Sequence, residues 1–132
     1  MPSIPLGAKG TFTLIVMPEH LANRFKDVTL PPVLATPVMI MAMENAALNA
    51  LKPYLGERYS AVGTRVEVNH LAATLVGRQI TAEAQVIKVD GRRVEFKIEA
   101  RDGAEAIGAG THERMVIDTA QFIERLQKLD RK

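Results

Sequence analysis

The spacing of apolar positions changes along this chain, and each change marks an element. Gly10–Met17 is dense in β-branched and aromatic residues and reads as a first strand. Pro18–Phe25 places Leu21 and Phe25 on one face of a short helix. Lys26–Ala35 contains Pro31-Pro32 and reads as a loop. The next stretch, ATPVMIMAMENAALNAL (Ala35–Leu51), is apolar almost all the way round when wound as a helix, and such a helix belongs inside a domain. Thr36 suits its N-cap and Pro37 its first position, where a missing N–H costs nothing. The helix is expected to end near Lys52-Pro53, because the residue before a proline is pushed away from helical angles.

Beyond Gly56 the period shortens to that of strands. In Val62–His70, alternation puts Val62, Val66, Val68 and His70 on one face and Arg65, Glu67 and Asn69 on the other. Gln79–Val89, Arg92–Arg101 and Ala104–Ile117 follow as further strands, with Asp90-Gly91 and Asp102-Gly103 as hairpin turns. Gly108-Ala109-Gly110, inside the last strand, marks a bulge or a close backbone approach. Asp118-Thr119-Ala120-Gln121 opens a terminal helix with Phe122, Leu126 and Leu129 on one face. The predicted order is strand, short helix, long buried helix, four strands in a meander, terminal helix. That is an α+β arrangement in which an antiparallel sheet covers a central helix. One curved sheet hides only part of such a helix, so a dimer, the loop or the terminal helix must hide the rest.

Composition narrows the function. A chain of 132 residues is read as one domain spanning 1–132. It has no Cys, which excludes disulfides, thiolate metal sites and cysteine nucleophiles and fits a cytoplasmic setting. The opening MPSIPLGAKG lacks the layout of a signal peptide. The longest unbroken apolar run, Pro37–Met43, is too short to span a bilayer, so no membrane partner is expected. The 17 basic and 15 acidic side chains are interspersed, for a formal net charge of +2. The densest basic patch, Lys88–Arg93, reads as a solvated hairpin tip. Aromatics make up only 5% of the chain and Trp is absent, so a nucleic-acid surface with stacking side chains is set aside. No metal-binding motif appears.

Two polar residues stand out against this background. Glu44 lies in the middle of the greasy helix, where a carboxylate is costly without a partner or a task. His70 points the same way from the following strand, and the two would most simply satisfy each other. A buried structural pair and a catalytic pair both fit. Thr36, at the helix start, lies where backbone N–H groups and the helix dipole favour an oxyanion. Eight residues of helix separate Thr36 from Glu44 by about 12 Å. The two share one site only if the first turn is distorted or the site joins two protomers. His112 and Arg114 fall on the same face of the last strand as Val116, so one of them is placed to look into a pocket.

The segments GTRVEVNHLAAT (Gly63–Thr74), DGRRVEFKIEARDG (Asp90–Gly103) and IGAGTHERMVI (Ile107–Ile117) resemble the fluoroacetyl-CoA thioesterase-like group of hotdog-fold proteins. The resemblance covers Val33 to about Ile117. It implies the hotdog fold, an antiparallel sheet wrapped around a long central helix, assembled as a homodimer or a dimer of dimers. It implies an acyl-CoA thioesterase acting on a small or short-chain acyl thioester. The family's catalytic Thr, Glu and His fall on Thr36, Glu44 and His70, and two residues near the acyl group fall on Gly63 and Arg114. No cofactor is implied, since coenzyme A is part of the substrate. The family's archetype selects its fluorinated acyl group with an aromatic lid ahead of the central helix. Asn23–Leu34 has a single aromatic, Phe25, which does not align with that lid, so a generic short-chain acyl-CoA is the expected substrate class. Thr36 as nucleophile and Thr36 as the holder of an attacking water both remain open. So does a rival reading in which the same fold binds acyl-CoA or an acyl carrier without catalysis.

Overall fold

Alternation of apolar and polar residues in the second half of the chain makes a curled sheet with one apolar face, and the long helix lies against that face. The structure is a computed structural model and describes residues 1–130. In chain order the elements are β1 (Lys9–Ile15), a 3-10 turn (Pro18–His20), α1 (Ala22–Phe25), α2 (Thr36–Leu55), β2 (Tyr59–His70), β3 (Gln79–Asp90), β4 (Arg93–Asp102), β5 (Glu105–Asp118) and α3 (Thr119–Leu129). The five strands form one antiparallel sheet in the order β1-β3-β4-β5-β2.

Only β3, β4 and β5 form a meander. Their turns are two-residue loops, Gly91–Arg92 and Gly103–Ala104, with φ +60° at each glycine, as a first turn position of this kind requires. The expected four-strand meander fails at β2, which pairs with β5 at the far edge of the sheet. Leu71–Arg78 is too long for a tight hairpin and carries the chain across to β3 instead.

The inward residues of the meander are Ile80, Ala82, Ala84 and Val86 on β3, Val94, Phe96, Ile98 and Ala100 on β4, and Ile107 and Val116 on β5, all buried. They meet Val38, Met39, Ala42, Met43, Ala46, Ala47, Ala50 and Leu51 of α2. Small residues let the layers approach closely. A Cβ on Gly10 would collide with the backbone of Ala46 and Ala50, and one on Gly108 would stand 2.6 Å from Met39 Sδ. The side chain of Asn49 also ties β1 to the helix, donating to the Thr11 carbonyl at 2.9 Å.

Four local expectations are corrected. The short helix splits at Leu21, which is extended (φ −79°, ψ 144°) and bridges Leu34. The N-cap of α2 is Ala35; Thr36 is already helical and its side chain is engaged elsewhere. Helix α2 runs through Pro53 to Leu55 because buried Leu51 and Leu55 hold its last turn, while Pro53 itself is exposed. Finally, α3 buries none of its residues and packs along β5, so it does not cover the central helix.

The uncovered part of α2 includes a stripe, beside a second row of Pro37, Met41, Asn45 and Asn49 that is likewise not buried. Thr36, Ile40, Glu44 and Leu48 recur at four-residue spacing on one face, and none is buried. The stripe lies on the same side of the molecule as β2, whose outer edge has no strand paired to it among the described residues.

Candidate active site

The start of α2 frees a hydroxyl. The N–H of Ala35 donates to the His20 carbonyl at 2.9 Å, and the Ala35 carbonyl accepts from Val38 and Met39 at 3.0 and 3.2 Å. Thr36 makes no capping bond, and its Oγ1 lies 2.7 Å from His70 Nδ1. His70 is the last residue of β2. Its place is fixed by the next turn, where the N–H of Leu71 donates to the Ile107 carbonyl at 2.7 Å. Ile107 is the extra residue of a bulge opposite Ala100 and Arg101. The other imidazole nitrogen, Nε2, is shielded from solvent and has no hydrogen-bond partner among the described residues. Burial pushes the His70 pKa below its ordinary value, with the Ala72 backbone acting the other way. The imidazole is therefore neutral at neutral pH. A hydroxyl in hydrogen-bond reach of a neutral imidazole is the arrangement that activates an oxygen nucleophile.

Glu44 does not pair with His70, as its inward placement suggested. Its Oε2 lies 3.8 Å from Arg114 Nη1, and the carboxylate is less deep than expected, with its side chain 37% exposed in the single chain. Arg114 is buried on β5. Its Nε and Nη2 donate to the Ala61 carbonyl at 3.3 and 2.7 Å. Gly63 lies opposite Arg114 in the sheet. A Cβ there would stand 3.0 Å from Glu44 Oε2 and 3.5 Å from Arg114 Nη1, so glycine keeps the carboxylate's space open.

The two groups are brought onto one surface by a second bulge. Thr64 is extra between Gly63 and Arg65, and its hydroxyl donates to the Glu113 carboxylate at 2.6 Å, with the Glu113 carbonyl 3.1 Å away. The bulge switches the parity of β2. Ala61 and Gly63 face inward before it; Val66, Val68 and His70 face inward after it, opposite His112, Gly110 and Gly108. Val62 therefore faces away from Val66 and Val68, contrary to simple alternation. His112 belongs to this surface too, fully buried beside Arg114. Alternation on the last strand had pointed to it without giving it a role. Among the described residues there is no cluster of three His, Cys, Asp or Glu that would hold a metal, and no helix long and apolar enough to cross a membrane.

Comparison with known proteins agrees with this architecture. The chain superposes on a Thermus thermophilus protein described as a thioesterase superfamily member, with TM-score 0.89 and 32% identity, covering 98% of this chain and 95% of that one. A variant of a fluoroacetyl-CoA thioesterase solved with acetyl-CoA gives TM-score 0.89 and 32% identity over 96% of this chain and 98% of that one. These matches, with the sheet curled round α2, define a hotdog-fold thioester hydrolase acting on acyl-CoA. In sequence, the chain is 40% identical to the fluoroacetyl-CoA thioesterase of Streptantibioticus cattleyicolor over 128 residues, covering 93% of this chain and 92% of that protein. The fluoroacetyl-CoA-specific thioesterase family matches residues 16–120, and the chain belongs to that family.

Proposed function

We propose that this thioesterase hydrolyses small or short-chain acyl-CoA with Thr36, His70 and Glu44 as its catalytic set and Gly63 and Arg114 against the acyl group. The observation that carries the reading is the 2.7 Å contact between Thr36 Oγ1 and His70 Nδ1, with the imidazole kept neutral by burial. Thr36 Oγ1 attacks the thioester carbonyl carbon as its proton passes to His70 Nδ1. The tetrahedral oxyanion forms near backbone N–H groups by Thr36 or Gly63. Its collapse breaks the C–S bond, and the departing sulfur takes the proton from the imidazolium. A water deprotonated by Glu44 then attacks the acyl-threonine ester; collapse breaks the bond to Thr36 Oγ1, which takes back the proton held by Glu44 as the carboxylic acid leaves. General-base help of this kind is worth about 10²–10⁴-fold in rate. The lid-side loop favours a generic short acyl group: its exposed apolar residues are Val28 and Leu30, and its one aromatic, Phe25, is more than half exposed.

The same reading requires two copies of the chain. On one unbroken helix, Thr36 and Glu44 are about 12 Å apart along the axis. The uncovered stripe of α2 and the free edge of β2 offer a second copy an apolar face and a strand to pair with. In the homodimer, Glu44 of one copy serves the Thr36–His70 pair of the other. The test is a tagged heterodimer in which one chain carries His70→Gln and the other Glu44→Gln, assayed for thiol release from acetyl-CoA. A shared site leaves one of the two sites intact, so the heterodimer keeps roughly half the wild-type turnover, while each homodimeric variant loses at least about tenfold. A heterodimer as inactive as its parents, or a Glu44→Gln homodimer with full turnover, would overturn the assignment.

A further inference from the structure

His112 plays no part in the steps above, yet its environment is built around its two nitrogens. It sits on β5 between Val66 of β2 and Phe96 of β4, and its ring stacks on Phe96 with centroids 5.8 Å apart. A buried imidazole is costly unless both nitrogens are satisfied. Here Nδ1 lies 2.7 Å from the Arg65 carbonyl and Nε2 lies 3.1 Å from Arg114 Nη1. A carbonyl only accepts and a guanidinium only donates. Nδ1 must therefore carry the hydrogen, and Nε2 must be bare. The partners fix both the charge state and the tautomer. The same Nη1 of Arg114 faces Glu44, while the rest of the guanidinium is held by Ala61.

We propose that His112 is a positioning residue that ties Arg114 to the β2 bulge as a neutral Nδ1–H imidazole and so fixes the Glu44 carboxylate for activating water. The proposal rests on the reading of Glu44 as a base. Burial and the charges of Arg114 and Arg65 disfavour protonation of His112, while the bond to the Arg65 carbonyl and the charge of Glu44 act the other way. Those three side chains, from β5, β2 and α2, are the charged groups around the ring. A proton on Nε2 would confront the guanidinium directly and release it.

Four measurements test this on the full chain, with acetyl-CoA as substrate. Nitrogen-detected NMR of the wild-type protein should show the Nδ1–H tautomer for His112; an Nε2–H tautomer overturns the proposal without any variant. His112→Phe fills the slot without an acceptor and should lower kcat by about 10- to 100-fold, as expected of a misplaced catalytic group. KM should stay within about twofold. His112→Gln, which restores an acceptor toward Arg114, should recover most of the turnover. In a Glu44→Gln background the Phe substitution should cost almost nothing more, because both changes act on one step. Full turnover in His112→Phe, or an equal loss in both backgrounds, overturns the proposal while leaving Glu44 as the base. Full turnover in Glu44→Gln alone overturns the base assignment itself, and this proposal with it.

Discussion

Replacing Gly63 with alanine should separate stability from activity. The residue is not in the left-handed region, so its backbone accepts a side chain. The new Cβ would stand 3.0 Å from Glu44 Oε2, 3.5 Å from Arg114 Nη1 and 3.5 Å from His112 Cε1. The last two are ordinary contacts. The first is too close, and the carboxylate must give way by a few tenths of an ångström. It can do so cheaply, since Oε2 is the far end of a flexible side chain. The cost to folding is therefore small. A compatible Gly→Ala change stabilises by about 0.4–1 kcal/mol through the unfolded chain. If about half of that survives the contact, Tm rises by roughly 2 °C. Turnover moves the other way. A displacement of about 1 Å at a catalytic group costs up to about 100-fold. A few tenths of that on a logarithmic scale is a loss of roughly three- to tenfold in kcat/KM. Thiol release from acetyl-CoA and a thermal melt on the same preparation measure both. Wild-type kcat/KM would refute the claim that Glu44 works from where it stands, and a Tm several degrees lower would refute the claim that its displacement is easy.

The same logic ranks two other glycines. Gly10→Ala drives a Cβ into the α2 backbone at Ala46 and Ala50, whereas Gly108→Ala meets the flexible ends of Met39 and Met43. The first should cost about 1–3 kcal/mol or more and the second clearly less, read as two Tm shifts in that order. Acidification should destabilise the fold through its buried imidazoles. His70 and His112 both have pKa values below the ordinary 6.5 in the folded chain, chiefly from burial. Below about pH 6.5 the unfolded chain takes up protons that the folded chain refuses, so stability falls as pH drops from there towards the folded pKa values. Chemical denaturation between about pH 8 and 5 should show a plateau above that value and a decline beneath it, shallower in His112→Gln.

Much of this was legible because local chemistry and fold agreed. The Gly91 and Gly103 turns, each one residue later than the Asp-Gly pairs placed them, the Asp118 cap, whose carboxylate accepts from Gln121 N–H at 3.2 Å, and the start of α2 to within a residue all follow from short-range rules. What the letters hid depends on long-range partners. Nothing in Val62–His70 announces that β2 will pair with β5, and without that pairing the Thr64 bulge is invisible. Thr36 looks like a cap because threonines at such positions commonly are, and only the distant His70 diverts its hydroxyl. Glu44 and His70 each looked inward, but which inward group each would meet depended on the bulge. Once Gly63 and Arg114 are opposite one another, Glu44 is matched to a cation and His70 is left to the threonine.

That extra residue also makes counting matter as much as identity. Gly63 and His70 are seven positions apart, an odd number that on a regular strand would send them to opposite sides. Deleting Thr64 would keep every proposed catalytic side chain in the sequence and still turn one end of the strand inside out. Graded losses are expected from substitutions along this segment, but a one-residue deletion acts as an off switch, and so does an insertion. A relative that aligns letter for letter around the histidine, yet spaces it evenly from the glycine, should fold well and hydrolyse nothing.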